Sequence, residues 1–528
     1  MELIFGDHSY RYYNSIGVVR PRRDTYVLSK GKVRQYGSMA HCEEKLSIPG
    51  FNPAGTNWLK DKNGGEVTTT LFGKLMTLAV NKFALLDSFG LGVEMEGGKP
   101  GWNDAMNGLP GLFGSSMPET LELKRLVKFL LETLGECVAQ EEGGVTLCRE
   151  LHDFMRDIDH LHSQGLEDFA CWDQVAGRRE QFREETKCSV SGENVFVSFG
   201  ELERILDAWA RKLQRAVDRA LEIGNGIMPT YFTYEAKAYE VVKNADGSDR
   251  ISPYGLPSVR VYAFELQQLP YFLEGPARML AGSEAGQRGS LAAMCAKIKE
   301  TDIYDRELKM YKTSASIEGL SMENGRVRAF TPGWLERESV FLHMEYKYFY
   351  GLLKAGLYEE FYEAIHDALI PFQEPERYGR SILENSSFLA SGVNPDPAVH
   401  GQGFVGRLSG STVEMLSMWI GMFVGAGAFE VRDGRVSLRL APVLEGRMFD
   451  QAGDLSFMLC GRCRVTYHNP GRKNTYGADG VKVARMTARL EEGDIEVEGC
   501  VLGESLALAV REGRVPAIEA WMEEEAAQ

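Results

Sequence analysis

The stretch Gly98-Lys99-Pro100-Gly101-Trp102-Asn103-Asp104-Ala105-Met106-Asn107-Gly108-Leu109-Pro110-Gly111 sets one carboxylate, one large aromatic and two amides among glycines and prolines. A carboxyl can give or take a proton, and an indole offers an apolar face. Proline lacks the backbone N–H and glycine loses the most entropy on ordering, so the segment reads as a loop that presents polar groups. Loops of this kind, held between rigid elements, are where sugar binding and catalysis commonly sit. A surface turn in which Asp104 and Asn107 only cap a helix fits the residue types equally well.

Two further segments offer chemistry. Glu336-Arg337-Glu338-Ser339-Val340-Phe341-Leu342-His343 reads as the start of a helix. Arg407-Leu408-Ser409-Gly410-Ser411-Thr412 precedes the last helix of the helical region. Ser-Gly-Ser-Thr at a helix N-terminus supplies free N–H groups, hydroxyls and the positive end of the dipole, which together make an anion site. An ordinary N-cap is the plainer reading of the same residues.

Other motifs carry less. Gly401-Gln402-Gly403-Phe404-Val405-Gly406 spells G-x-G-x-x-G, but no strong strand precedes it and no βαβ unit surrounds it, so a dinucleotide site is rejected. Cys460-Gly461-Arg462-Cys463 is a single C-x-x-C, and zinc needs a second pair. His152, Asp157, His160 and His162 share an amphipathic helix and read as solvent-facing residues, so no metal is expected. Neither a phosphate-binding G-x-x-x-x-G-K-[ST] nor a G-x-S-x-G nucleophile elbow occurs.

The elements that must hold these loops follow from periodicity. Residues 1–65 are rich in Tyr, Arg, Gly and Pro and read as strands and loops. Within them Arg20, Arg22, Arg23, Lys30, Lys32 and Arg34 read as a solvated basic face. Thr68 to Asp87 has apolar residues near 3.6-residue spacing, which predicts a helix. Ser116 and Glu119 have capping-box spacing before a helix from Pro118 to Gly135. Further helices are expected near 145–165, 173–187 and 200–223. The segment 227–273 breaks the pattern with aromatic strands, either a lid over a pocket or a packed hairpin. Helices resume near 275–282, 288–300, 302–312, 336–355, 357–370, 379–390 and 412–424. From Glu430 the pattern is β: a hairpin with an Asp433-Gly434 turn, then strands near 455–467, 482–490, 495–501 and 506–510. Three regions result: 1–65, a helical domain 66–429 carrying the 227–273 insertion, and an all-β domain 430–528. The expected class is mainly α, an (α/α)6 toroid-type barrel followed by a β-sandwich, with a plain helical bundle or α-solenoid as the alternative.

Composition sets outer bounds. The 528 residues are 44% hydrophobic, enough for a sizeable core. A formal charge of −16 argues against nucleic acid or an anionic membrane as the main partner. Nine scattered cysteines fit reduced thiols better than a disulfide framework. Met1 to Asp7 is too short and acidic for a secretory core, and the nearly apolar run Met415 to Phe429 is shorter than a membrane span, so a cytoplasmic protein is expected.

Taken together, Trp102-Asn103-Asp104-x-Met106-Asn107, the His343 segment, Ser409-Gly410-Ser411 and a following β-domain resemble glycoside hydrolase family 94. Those proteins are inverting phosphorylases of β-linked glucosides, such as cellobiose phosphorylase, built on an α/α six-hairpin barrel. The resemblance runs from about residue 66 to the end. It is nearest the large β-1,2-oligoglucan phosphorylase-type members, although Gly101 stands where the family loop carries its first Asp. The resemblance implies that Asp104 is the general acid and that Trp102, Asn103 and Asn107 line the sugar site, with Glu336 as an acceptor-sugar contact. It implies a phosphate pocket of His343, Ser409, Gly410 and Ser411. Only about one hundred residues precede Asp104, fewer than the family places there, so an N-terminally truncated chain is expected.

The implied chemistry needs one carboxyl acid, because phosphate is already an anionic nucleophile; an inverting hydrolase needs a second carboxylate as base. Asp104, kept protonated in a partly desolvated site, would protonate the glycosidic oxygen while phosphate attacks the anomeric carbon from the opposite face. The expected partners are a β-linked gluco-oligosaccharide and phosphate, with no nucleic acid, no membrane, no metal and no organic cofactor, and a homodimer among the assemblies the resemblance allows. Two alternatives stand beside this: an inverting β-glucosidase or glucanase using Glu336 or Glu338 as base, and an inactive fragment or carbohydrate-binding protein.

Overall fold

The structure, a computed structural model, describes every residue except 1, 137–142, 285, 407–408, 433 and 525–528. It corrects the expected class. The chain is 39% helical and 24% strand, a mixed α/β protein rather than a mainly α one. Two of the strands not expected from the sequence arise where short β-branched and aromatic runs directly precede a helix and pair with each other. Gly144–Cys148 pairs with Asn194–Ser198, and these strands lead straight into the helices Arg149–Ser163 and Phe199–Ile223.

The chain divides into two compact units. The first comprises Met1–Glu284, Gly289–Phe341 and Phe388–Gln402. Its core gathers the apolar stripes of the helices Leu71–Phe83, Met117–Gly135, Arg149–Ser163 and Phe199–Ile223 around Phe72, Phe83, Leu130, Phe154 and Trp209. Phe83 and Trp209 stack at 4.5 Å. Thr70 caps the first of these helices through Gly73 N, and Ser198 caps the last through Glu201 N. The Ser116–Glu119 capping box does not form. Ser116 instead lies in a strand, and the Glu119 carboxylate pairs with Lys82.

That strand belongs to a four-stranded antiparallel sheet in the order Val259–Gln268, Tyr231–Val241, Ser115–Ser116, Val93–Glu94. The insertion 227–273 is thus a long hairpin that extends the sheet. A second hairpin, Tyr26–Ser29 with Lys32–Gln35, turns at Lys30 and Gly31, both left-handed. The helix expected at 302–312 is also a hairpin, Tyr304–Asp305 with Met310–Tyr311. Asp305 Oδ1 accepts the N–H groups of Glu307 and Leu308, and Lys309 is left-handed, so side-chain bonding overrides helix propensity there. Residues 379–390 form turns ending in the strand Phe388–Leu389.

The second unit comprises Ala285–Arg288, Leu342–Ser387 and Gly403–Gln528. It holds the helices Leu342–Lys354, Tyr358–Ala368 and Ser409–Phe423. A three-stranded sheet contains the hairpin Phe429–Arg432 with Arg435–Arg439, as expected from the sequence; Asp433 of its turn lies outside the described residues. A five-stranded sheet runs in the order Asp454–Leu459, Cys463–His468, Ala517–Glu524, Val481–Arg489, Ile495–Glu498. Residues 506–510, expected as a strand, lie in the helix Glu504–Glu512. Among the described residues, no helix is long and apolar enough to cross a membrane.

Candidate functional site

Asp104, Trp102, Asn103, Asn107 and Glu336 belong to the first unit; His343, Ser409, Gly410 and Ser411 belong to the second.

In the first unit, the Asp104 loop leaves the sheet at Glu94 and returns at Ser115, and these two residues face each other across the strands. Asp87 pins the exit. Its carboxylate accepts Leu91 N, Gly92 N and Ser115 Oγ at 3.0, 2.6 and 2.8 Å, and the Tyr234 hydroxyl as well. Burial nevertheless pushes Asp87 above the usual carboxylate range. At the tip, Asn103 is buried and its Oδ1 accepts Ala105 N at 3.2 Å, starting the short 3-10 turn Asp104–Met106. Ala105 and Met106 sink into a core with Leu109, Tyr231, Ile317 and Val327. Asp104 points away from that core and is exposed, with no hydrogen bond or ion pair among the described residues. The desolvation expected around Asp104 is therefore absent from the protein alone, because its anchored neighbours turn the carboxylate to solvent. Asn107 is exposed as well.

Trp102 is 44% exposed and lies nearly parallel to Phe341, with centroids 5.7 Å apart and planes at 16°. Phe341 in turn stacks on Phe388 at 4.8 Å and 24°. The indole thus rests on a column of aromatic rings and keeps a face for solvent.

The loop is clasped on both sides. Gly108 N donates to Asn324 O at 3.1 Å, and a Cβ at Gly108 would stand 1.9 Å from Glu323 O. Glu323 is held by Arg34, Nε to Oε1 at 3.0 Å and Nη2 to Oε2 at 2.9 Å. The next residue, Gln35, donates from Nε2 to Met95 O at 2.9 Å and Pro110 O at 2.8 Å. Arg34 and Gln35 thus make the hairpin a brace, which corrects the solvated-face reading for Arg34, whereas Arg23, Lys30 and Lys32 of the same charge run are exposed. Arg22 is likewise engaged, with Asp173 at 2.7 Å and Glu180 at 3.0 Å, and its guanidinium lies over Trp172.

Beside the loop lies a charged shelf. Glu94 is pushed up to about 7 by burial, against the attraction of Arg179. Glu96 is drawn down to about 2: burial works against ionisation, but Arg183, Arg179 and Lys99 outweigh it.

Glu336 sits partly exposed on a turn, not in the expected helix start. Leu335 and Glu338 are both left-handed, and Arg337 anchors the turn by donating Nη1 to Arg328 O and Phe330 O at 2.9 and 3.0 Å. Glu338 is buried, and burial raises its carboxyl against the pull of Lys312 and Arg337. Of the two carboxylates proposed as a base in the hydrolase alternative, only Glu336 retains exposure.

In the second unit, His343 lies in the first turn of Leu342–Lys354 and its ring covers Gly410. A Cβ on Gly410 would meet His343 Nδ1 at 2.5 Å. Gly410 and Ser411 occupy the first turn of Ser409–Phe423; the side chain of Ser409 lies outside the described residues, as do residues 407 and 408. Ser411 is 2% exposed, and among the described residues its Oγ has no hydrogen-bond partner. Two residues not singled out by sequence complete the cluster. Glu414 Oε1 lies 3.6 Å from His343 Nε2 and 3.2 Å from Lys347 Nζ. Burial works to raise Glu414, but His343 and Lys347 hold it below its ordinary value. The i, i+4 spacing of His343 and Lys347 was the signal that could have found Lys347.

The rejected histidine cluster is dispersed. His152 bonds Asp153 at 2.8 Å, Asp157 bonds Arg178 at 2.6 Å, and His160 bonds Gln164 at 2.9 Å. His162 is driven down to about 3 by burial and lies 3.2 Å from Cys171 Sγ. In comparisons with known proteins, no protein-family model matches the chain, and no curated protein matches it.

Proposed function

We propose that the chain is an inverting glycoside phosphorylase that cleaves β-linked gluco-oligosaccharides with inorganic phosphate and releases α-glucose 1-phosphate. The observation that supports this reading most is the buried hydroxyl of Ser411, without a hydrogen-bond partner among the described residues, in the first turn of a helix next to Gly410, which lies under the His343 ring. A buried hydroxyl without a partner costs free energy unless something bonds it. Helix N–H groups and an imidazole beside it suit phosphate. Lys347 adds positive charge and is shared with Glu414.

Asp104 supplies the other half. It is an exposed carboxyl on a loop braced from both sides, next to an indole with an open face. A sugar ring on Trp102 would strip water from Asp104, raise its proton affinity and receive the proton at the glycosidic oxygen. Phosphate would then attack the anomeric carbon from the face opposite the acid. No second carboxylate is needed, because phosphate needs no deprotonation by a base to attack.

The test is an assay of β-gluco-oligosaccharides with and without phosphate. Glucose 1-phosphate of α configuration, formed only with phosphate present, is the expected result. Free glucose formed at equal rate without phosphate would favour an inverting hydrolase with Glu336 as base.

A further inference from the structure

A cavity of the first unit lies away from the Asp104 loop. It has a volume of about 820 Å³ and is walled by residues of the N-terminal segment, including Tyr12, Arg20 and Cys42, and by the end of the helix Asp168–Thr186. Cys42 and Glu44 line it, and the thiol sulfur of Cys42, a carboxylate oxygen of Glu44 and the thiol sulfur of Cys188 all lie within 4.8 Å of one another. The two cysteines are far apart in sequence, and Asn14 bonds Cys188 on one side and Lys45, whose backbone N–H donates to Cys42 O, on the other. Asn14 Nδ2 donates to Cys188 O at 3.4 Å, and its Oδ1 accepts from Lys45 Nζ at 2.7 Å.

Lys45 is a buried ammonium whose hydrogen-bond acceptors among the described residues are both neutral, Asn14 Oδ1 and Ser15 O. Burial lowers it, and the charge-bearing groups that act to keep it protonated are Cys42 and Cys188. A thiolate formed at either sulfur would therefore meet a nearby cation. Two features oppose a divalent metal at the same place. Glu44 is already bound to Lys187 at 2.9 Å, and two ammonium groups adjoin the cluster. The arrangement suits thiol chemistry better than coordination.

We propose that Cys42 and Cys188 are a redox-active pair that closes to a disulfide on reaction with a hydroperoxide. Cys42 lines the cavity and reacts first. Its sulfur attacks one peroxide oxygen, an S–O bond forms, the O–O bond breaks, and water leaves, giving a sulfenic acid. The Cys188 sulfur then attacks the Cys42 sulfur. The S–S bond forms, the S–O bond breaks, and the departing hydroxide takes the Cys188 proton as water. Two thiols lose two electrons and two protons, and one hydrogen peroxide becomes two waters. The bond ties the N-terminal segment to the end of a core helix, and this inference is independent of the carbohydrate reading.

The test is hydrogen peroxide treatment of the native, reduced chain, followed by peptide mapping without reductant. A Cys42–Cys188 linked peptide is expected, with two fewer titratable thiols and a higher Tm that reductant reverses. In Cys188→Ser the expected product is a sulfenic acid at Cys42, trapped by dimedone. Should the serine variants fail to fold, the wild-type map alone decides. Oxidation that leaves Cys42 and Cys188 unlinked while other cysteines react would overturn the proposal. So would zinc binding at one ion per chain that is released when Cys42 is alkylated.

Discussion

Arg34 grips both carboxylate oxygens of Glu323, at 3.0 and 2.9 Å, and so fixes the segment whose backbone clasps Gly108. The Arg34 side chain is 8% exposed and also reaches Glu235 at 3.2 Å, whereas Glu323 is 45% exposed. Removing the guanidinium in Arg34→Met leaves the Glu323 carboxylate without this clamp. The expected cost is about 2 kcal/mol of stability, the range for hydrogen bonds to charged groups. Urea denaturation measures it. On the proposed phosphorolysis, the phosphate-dependent rate should fall further than the stability loss explains, because the Asp104 loop loses one of its two braces. An unchanged kcat in Arg34→Met would separate the brace from the acid.

Gly108 is required by close backbone approach. An alanine Cβ would lie 1.9 Å from Glu323 O and 2.8 Å from Gly325 N, both backbone atoms that cannot swing aside. Gly108→Ala should cost about 1–3 kcal/mol, as overpacking does, and should displace Asp104. Gly111→Ala is the control, since its Cβ would meet only Gln35 O at 3.5 Å. The two urea midpoints, compared side by side, check the difference.

Glu94 makes stability depend on pH. Its folded-state value is pushed up to about 7, above its ordinary value of 4.5, so the folded chain binds the extra proton between those limits. Stability from this group is therefore highest at low pH and falls as pH rises from about 4.5 to 7. The swing is on the order of 3 kcal/mol. Glu96 has the opposite sign. Held at about 2, it contributes stability above 4.5 that is lost as pH falls from 4.5 toward 2. Unfolding free energies from pH 5 to 8 should decline in the wild type and flatten in Glu94→Gln.

Ser411 separates binding from folding. Among the described residues its buried hydroxyl has no hydrogen-bond partner, so Ser411→Ala should hold or raise Tm. The same change should raise the KM for phosphate several-fold, since one phosphate-binding hydroxyl is worth roughly 1 kcal/mol. Gly410→Ala should also raise it, by pushing the His343 ring off a 2.5 Å contact. Phosphate-dependent initial rates with both variants read this out. A Ser411→Ala chain that loses stability and keeps its phosphate KM would count against the anion site.

Much of the candidate site was legible because local chemistry dictates it. Glycine and proline around Asp104 forbid regular structure, and the loop is a loop. Asn103 caps the Asp104 turn, a local bond that the sequence anticipated only in kind. What holds the loop was not legible. Gly108 is needed only because Glu323, remote in sequence, approaches its Cα, and the column under Trp102 joins Phe341 to Phe388 across a long separation. The mainly α expectation failed for a similar reason. Residues 302–312 have helix-forming composition, but Asp305 bonds the backbone ahead of it and turns the chain into a hairpin. The apolar run 506–510 fits a strand or a buried helix face alike, and packing against the strand Arg435–Arg439 accompanies the helix. Arg22 and Arg34 read as solvated because charge runs usually are, yet carboxylates elsewhere in the unit claim both.

The most direct test is a phosphorus and proton NMR time course of the chain with β-gluco-oligosaccharide and inorganic phosphate, run in parallel with Asp104→Asn. The wild type should accumulate α-glucose 1-phosphate as inorganic phosphate is consumed, and Asp104→Asn should form it at least about a hundredfold more slowly, the lower range for loss of a general acid. An equal rate in Asp104→Asn, or consumption of oligosaccharide with the phosphate signal unchanged, would contradict the assignment of Asp104 as the acid of a phosphorolysis.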